Sequence, residues 1–113
     1  ESDIEPRVTE PERVVMAEVL ELIGTEQTAA ATERLQKEIA AAPNANALFD
    51  FTLANILFQQ EKLDEAAPAY EKAVEKFPKF RRAWRNLALI RVRQGNFEQA
   101  VPALVRVISL GGG

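Results

Sequence analysis

The segment FRRAWRNLALIRVRQGNFEQA, residues 80–100, carries Arg81, Arg82, Arg85, Arg91 and Arg93 against a single acid, Glu98. Guanidinium groups stay charged and present a planar fork of N–H donors, so a row of them suits carboxylates or phosphates held at two points. If the segment is helical, Arg82, Arg85, Asn86, Leu89 and Arg93 share a face by i, i+3 and i+4 spacing, while Trp84, Leu87 and Ala88 look elsewhere. Two readings of the row stay open: charge that solvates an outer face, or a surface that takes an acidic partner segment. Nucleic acid is not the expected partner, because the patch is short and the net charge is −3.

Covalent catalysis lacks its parts. The sequence has no His and no Cys, which removes the commonest general base, the commonest metal ligand and the thiolate nucleophile. Serine occurs only at Ser2 and Ser109, with nothing to activate it. Phosphate-loop, dinucleotide and calcium-loop spacings are all missing. The adjacent acids Asp64 and Glu65 begin a helix, where negative charge favours the dipole. Gly111, Gly112 and Gly113 follow no strand and precede no lysine, so they read as a linker. The expectation is no catalytic residue, no metal and no cofactor.

The 113 residues suffice for one domain with a modest core. A content of 47% hydrophobic and 27% charged residues is ordinary for a globular chain. No apolar run approaches the roughly 20 residues of a membrane helix. No secretory leader pattern is present either. The expectation is therefore a soluble chain without membrane insertion, cytoplasmic or, lacking disulfides, periplasmic. It starts at Glu1 rather than Met, which reads as a cut or processed chain. Charge is unevenly divided: residues 1–78 hold 16 acids and 7 bases, residues 79–113 hold 1 acid and 7 bases. The acidic stretch 1–26 is itself a candidate ligand for the arginines, in a neighbouring copy.

Elements must hold these residues in place. The opening ESDIEPRVTEPE is acidic, holds two prolines and lacks periodicity, which predicts a poorly ordered tail over residues 1–11. Pro11 suits the first turn of a helix, and Val15, Val19, Leu22 and Ile23 then share a face as far as Gly24. A second helix is expected at about 26–41, anchored by Leu35 and Ile39, and a third at about 46–60. The fourth runs from about Asp64 to Phe77, ahead of Pro78; the fifth spans about 80–94, ahead of Gly95; the sixth spans about 97–110. The third is apolar nearly all round, through Leu48, Phe49, Phe51, Leu53, Ile56, Leu57 and Phe58, which means cover on more than one side. Strand alternation is nowhere sustained and connections are short, so the chain reads as all-α, six short antiparallel helices.

Residues 47–80 laid over 81–113 bring Leu53 onto Leu87, Ala54 onto Ala88, Ala66 onto Ala100, Pro68 onto Pro102 and Tyr70 onto Leu104, each 34 apart. A proline inside a helix gives up a backbone hydrogen bond, so its return at one phase marks a repeated unit. Pro43 to Pro78 spans 35 residues, close to the same period. The chain resembles the tetratricopeptide repeat family, whose pattern is W-x2-L-G-x2-Y, then A-x3-F, then P. The third unit reads Trp84-x2-Leu87-Ala88-x2-Arg91 and Ala100-x3-Leu104. The second reads Asp50-x2-Leu53-Ala54-x2-Leu57, Ala66-x3-Tyr70 and Pro78. Ala54, Ala66, Ala88 and Ala100 are small where two helices must approach closely. Asp50 and Arg91 depart from the family's aromatics, and Gly112 stands in place of the closing proline.

The resemblance covers residues 46–112 and implies an antiparallel helix-pair solenoid, a right-handed superhelix of about three repeats. The units are expected at about 12–45, 46–79 and 80–113, the first of them degenerate. It also implies a role, a non-catalytic protein-interaction scaffold whose concave groove binds a peptide or partner segment. Carried onto this chain, the groove residues are Phe51, Asn55, Phe58, Gln59, Arg82, Arg85, Asn86, Leu89 and Arg93, apolar at one end and basic at the other. Such a groove suits a segment with acidic and apolar side chains. Asn55 and Asn86 hold phases that clamp a terminal carboxylate in some family members, but Phe51 stands where the clamp's lysine is expected. The runner-up is a structural segment of a longer array whose ligand site lies elsewhere, or an accessory domain of a larger protein. The last helix carries Val101, Leu104, Val105, Val107, Ile108 and Leu110 with nothing following to cover them, so self-association through residues 97–110 is expected.

Overall fold

The apolar phases do form six helices. The computed structural model describes residues 4–112. The helices are α1 Glu10–Gly24, α2 Thr28–Ala41, α3 Ala47–Gln59, α4 Leu63–Lys76, α5 Arg81–Arg93 and α6 Phe97–Val107. A wider turn follows, Ile108–Gly112, in which Leu110 and Gly111 leave helical geometry. Among the described residues there is no strand. Sequence-adjacent helices pack as pairs, α1–α2, α3–α4 and α5–α6, and the pairs stack through α2 on α3 and α4 on α5. The fold is an all-α helical-repeat solenoid.

The same turn closes each pair. Its central residue takes a left-handed φ: 62° at Glu26, 62° at Glu61 and 76° at Gly95. The next N–H then reaches back five residues, from Gln27 to the Leu22 carbonyl at 2.8 Å, Lys62 to Leu57 at 2.9 Å, and Asn96 to Arg91 at 2.8 Å. This backbone closure satisfies carbonyls that a helix end leaves orphaned. Glycine adopts that φ freely, whereas Glu26 and Glu61 hold it against steric preference. The first pair, the least regular in sequence, keeps the turn intact.

Two apolar clusters fill the interior, and α3 belongs to both. Its Phe49 and Ile56 join Met16, Val19, Ala31 and Leu35. Its Phe51 and Ala54 join Tyr70, Phe80, Ala83, Leu87 and Ile90. A helix covered on two sides must be apolar nearly all round, as its sequence is. Ala54, Ala66 and Ala88 are fully buried and Ala100 nearly so, which is why these positions stay small.

Two of the positions that lose the repeat's aromatic, Asp50 and Arg91, are filled by ion pairs. Asp50 is buried in α3, and Nζ of Lys76 donates to its Oδ2 at 2.7 Å. Arg91 on α5 pairs with Glu71 on α4, tying one helix pair to the next. Trp84, which keeps the first aromatic of the pattern, donates its indole N–H to the Pro78 carbonyl at 2.8 Å, with the Arg106 guanidinium 5.8 Å from its ring.

Residues 4–9 differ from the expected poorly ordered tail; residues 1–3 lie outside the described residues. Composition marks the segment as unable to bury much apolar surface, but polar partners far along the chain hold it. Asn46 donates to the Arg7 carbonyl at 2.7 Å. Thr9 and Glu12 close a reciprocal capping box at the start of α1, which holds the Glu12 carboxyl below its ordinary value, chiefly through the Thr9 N–H. Glu5 reaches across to Arg82 of α5.

Candidate functional site, the inner face of α3 and α5

Side chains from α3 and α5 face one another across a concave pocket of about 530 Å³. Phe51, Asn55, Phe58 and Gln59 line it from α3, Arg82, Arg85, Asn86 and Arg93 from α5, and Glu61 from the turn between α3 and α4. These are the residues expected from the sequence, less Leu89 and with Glu61 added. At about 100° per residue, the order around α5 away from its packed face is Asn86, Arg93, Arg82, Leu89, Arg85. Leu89 and Arg85 are the farthest round. The long arginine reaches back into the pocket, while the shorter Leu89 stands outside it, 43% exposed.

Phe51 is not the open apolar floor that its phase suggested. It is 3% exposed and packs at 4.6 Å on Phe80 and 5.9 Å on Tyr70, centroid to centroid. The Arg82 guanidinium lies 4.7 Å from its ring centre and helps to cover it. The accessible ring is Phe58, which is half-buried, with the Arg93 guanidinium 5.7 Å away.

Beneath the arginines sits a closed polar network. The Tyr70 hydroxyl donates to Asn55 Oδ1, and Asn86 Nδ2 donates to both Asn55 Oδ1 and the Tyr70 oxygen at 3.2 Å. Burial pushes the Tyr70 phenol up to about 12, so it stays protonated at neutral pH. The two asparagines spend much of their bonding on Tyr70 and on each other, which explains their place without any carboxylate clamp.

The arginines are unequally satisfied. Arg82 donates Nε and Nη2 to the two oxygens of Glu5, at 2.7 and 2.6 Å. Arg93 pairs with Glu61. Arg85 is exposed and has no carboxylate partner among the described residues. Glu61 was not expected at the site, 32 positions from its arginine; Glu5 belongs to the acidic stretch expected to reach the arginines of a neighbouring copy, and here it meets Arg82 of its own chain, 77 positions away.

A second hollow of about 430 Å³ continues the face towards α1. It shares Phe51, Asn55, Gln59 and Arg82 and adds Met16, Leu20, Ile23, Leu48 and Ile56. The inner face therefore runs from apolar at α1 to basic at α5. Among the described residues no group of His, Cys, Asp or Glu is placed to hold a metal ion. No helix among them is long and apolar enough to cross a membrane.

A sequence profile described as tetratricopeptide repeat matches residues 51–110, more than half of the chain. Among solved structures, a point mutant of MamA superposes with a TM-score of 0.75 at 23% identity, over 93% of this chain and 76% of that one. MamA AMB-1 in crystal form P212121 is similar at 24% identity with a TM-score of 0.76, over 88% of this chain and 54% of that one. MamA 41-end from Desulfovibrio magneticus RS-1 gives 0.73 at 24% identity, over 85% and 54%. At such identities the likeness is one of fold, and this chain spans between about half and three quarters of those structures. No curated protein sequence matches it.

Proposed function

Because the chain belongs to the tetratricopeptide repeat family, a family of protein-interaction scaffolds, we propose that its α3–α5 groove receives an extended partner segment bearing acidic and apolar side chains. The observation that carries this is the convergence of three arginines on one concave pocket, with Arg85 lacking a carboxylate partner among the described residues. The groove is equipped for binding and not for bond-making. It offers permanent cations, amides and a phenol that stays protonated. Exposed ion pairs contribute only about 0.2–1 kcal/mol each, so most of the affinity must come from apolar side chains on Phe58 and on the Met16, Leu20 and Ile23 side. Nitrogen-15 NMR titration with an acidic peptide, here one of residues 1–12, tests it. Shifts are expected at Asn55, Arg85 and Asn86. Charge reversal at Arg85 should weaken binding about threefold or more and flatten its salt dependence. Shifts confined to the outer helices α2, α4 and α6 would return the arginines to solvating charge.

A second reading concerns α6 and the turn after it, where Phe97, Val101, Leu104, Val105 and Ile108 are all exposed. Such a stripe supports self-association through residues 97–110. Light scattering at about 0.1 mM, where micromolar affinity shows, should find dimers that Val105→Glu or Ile108→Glu dissolves. A monomer at that concentration leaves the face to a further helix pair.

A further inference from the structure

We infer that Glu5 is an internal occupant of one groove subsite: it fills the Arg82 carboxylate subsite in cis, and a partner segment binds by displacing it and engaging Arg85 as well. The inference rests on the groove reading above and names how that site is regulated and what it selects.

The subsite is built rather than incidental. Arg82 meets Glu5 in a two-point contact at 2.7 and 2.6 Å, the geometry by which arginine recognises carboxylates. Its guanidinium is set against two rings, 4.7 Å from the centre of Phe51 and 5.9 Å from that of Phe80. Stacking fixes the fork before a ligand arrives, so little freedom is lost on pairing. The occupant is also held ready. Pro6 keeps Glu5 out of the helical region, the Arg7 carbonyl accepts from Asn46 at 2.7 Å, and Thr9 is locked into the cap of α1. A tether of a few residues gives Glu5 a high effective concentration at Arg82.

The contact is nevertheless easily given up. The two side chains remain 54% and 44% exposed, and a pair so open to water contributes little. One helical turn along α5, Arg85 has no carboxylate partner among the described residues. Cβ atoms at i and i+3 on a helix lie about 5–6 Å apart, and residues i and i+2 of an extended segment about 6.6 Å apart on one side. An extended segment with acids at alternate positions can therefore meet both arginines, where Glu5 meets one. That is the ligand class the groove selects.

A dye-labelled peptide of residues 1–12 has this pattern at Glu1, Asp3 and Glu5 and serves as the probe in fluorescence anisotropy. Glu5→Gln in the full chain should bind it about two- to fivefold tighter than the unaltered chain, the range an exposed ion pair supports. Adding Arg82→Gln should abolish that gain, and adding Arg85→Gln should weaken binding further. Equal affinity of the unaltered chain and Glu5→Gln, with shifts still at Asn55 and Asn86, would overturn the internal occupant and leave the groove reading standing. Absence of binding to either protein would overturn both. The Arg82 Nε–H resonance should be insensitive to dilution; a concentration dependence would place the segment in a neighbouring copy and end the cis assignment.

Discussion

Asp50 and Trp84 hold the same phase of successive helix pairs, and so do Tyr70 and Leu104. In the α3–α4 pair, Asp50 is 3% exposed and Tyr70 fully buried; in the α5–α6 pair, Trp84 is half-buried and Leu104 is 44% exposed. A charged side chain is thus deeper than the indole that replaces it one period later. Burial in a stack of repeats is set by what flanks a unit, not by the motif the unit carries. The α3–α4 pair has neighbours on both sides, and a buried carboxylate there is tolerable because Lys76 meets it. The α5–α6 pair is covered on one side among the described residues, and its apolar phases lie open.

The largest test of this contrast pairs Tyr70→Ala with Leu104→Ala. The first removes a fully buried ring and its hydrogen bonds to Asn55 and Asn86, and should cost about 3–5 kcal/mol in urea unfolding. The second should cost less than about 1 kcal/mol. Comparable costs would mean that α6 is covered in solution.

A sharper version uses pH. Burial pushes the Asp50 carboxyl above its ordinary value of 3.8, against the pull of the Lys76 ammonium. A carboxyl with a raised folded-state pKa contributes stability that is complete below its unfolded value and is lost as pH rises through the folded one. The melting temperature of the unaltered chain, relative to Asp50→Asn, should therefore fall as pH rises through and just above the carboxylate range, then level off. Glu12, whose shift is opposite, is common to both proteins and cancels. A flat difference across that window would show that the pull of Lys76 balances the burial of Asp50. The equivalent phase of the next pair, Trp84, has no charge to titrate.

The smallest effects lie at the repeated turn. Gly95→Ala meets no neighbouring atom within 4 Å, so its cost is the backbone's alone. It should destabilise by about 1 kcal/mol, and Glu26→Gly should stabilise by no more than that, since the left-handed φ is the same in both turns. Thermal melts that moved in the same direction would contradict the equivalence of the turns.

What the sequence showed well was local or periodic. The six helices follow from apolar spacing, and the stacking follows from Ala54, Ala66, Ala88 and Ala100 returning at fixed phase. Which residues of α3 and α5 line the pocket was legible, Leu89 apart, because helical phase is. Depth was not legible. Phase places Phe51 towards the groove, but whether its ring is open depends on Arg82 and Phe80, which come from another element. The individual partners of the arginines escaped for the same reason: charge pointed to the acidic stretch 1–26 as a whole, but that Glu5 meets Arg82 of its own chain and Glu61 meets Arg93 is decided by tertiary structure. The left-handed conformation of Glu26 and Glu61 left no mark in residue type, because glycine at Gly95 is the usual sign and glutamate is not.

Trp84 is the chain's single tryptophan. Its indole is bound to the Pro78 carbonyl beside Arg106 of α6, at the junction where the last helix pair meets the loop before it. Excited at wavelengths that spare Tyr70, its fluorescence reads the docking of that pair alone, while the circular dichroism of the six helices reads the whole stack. The molecule therefore carries a built-in optical reporter at its least covered end, and any gap between the two signals during unfolding measures how far that end frays before the rest gives way.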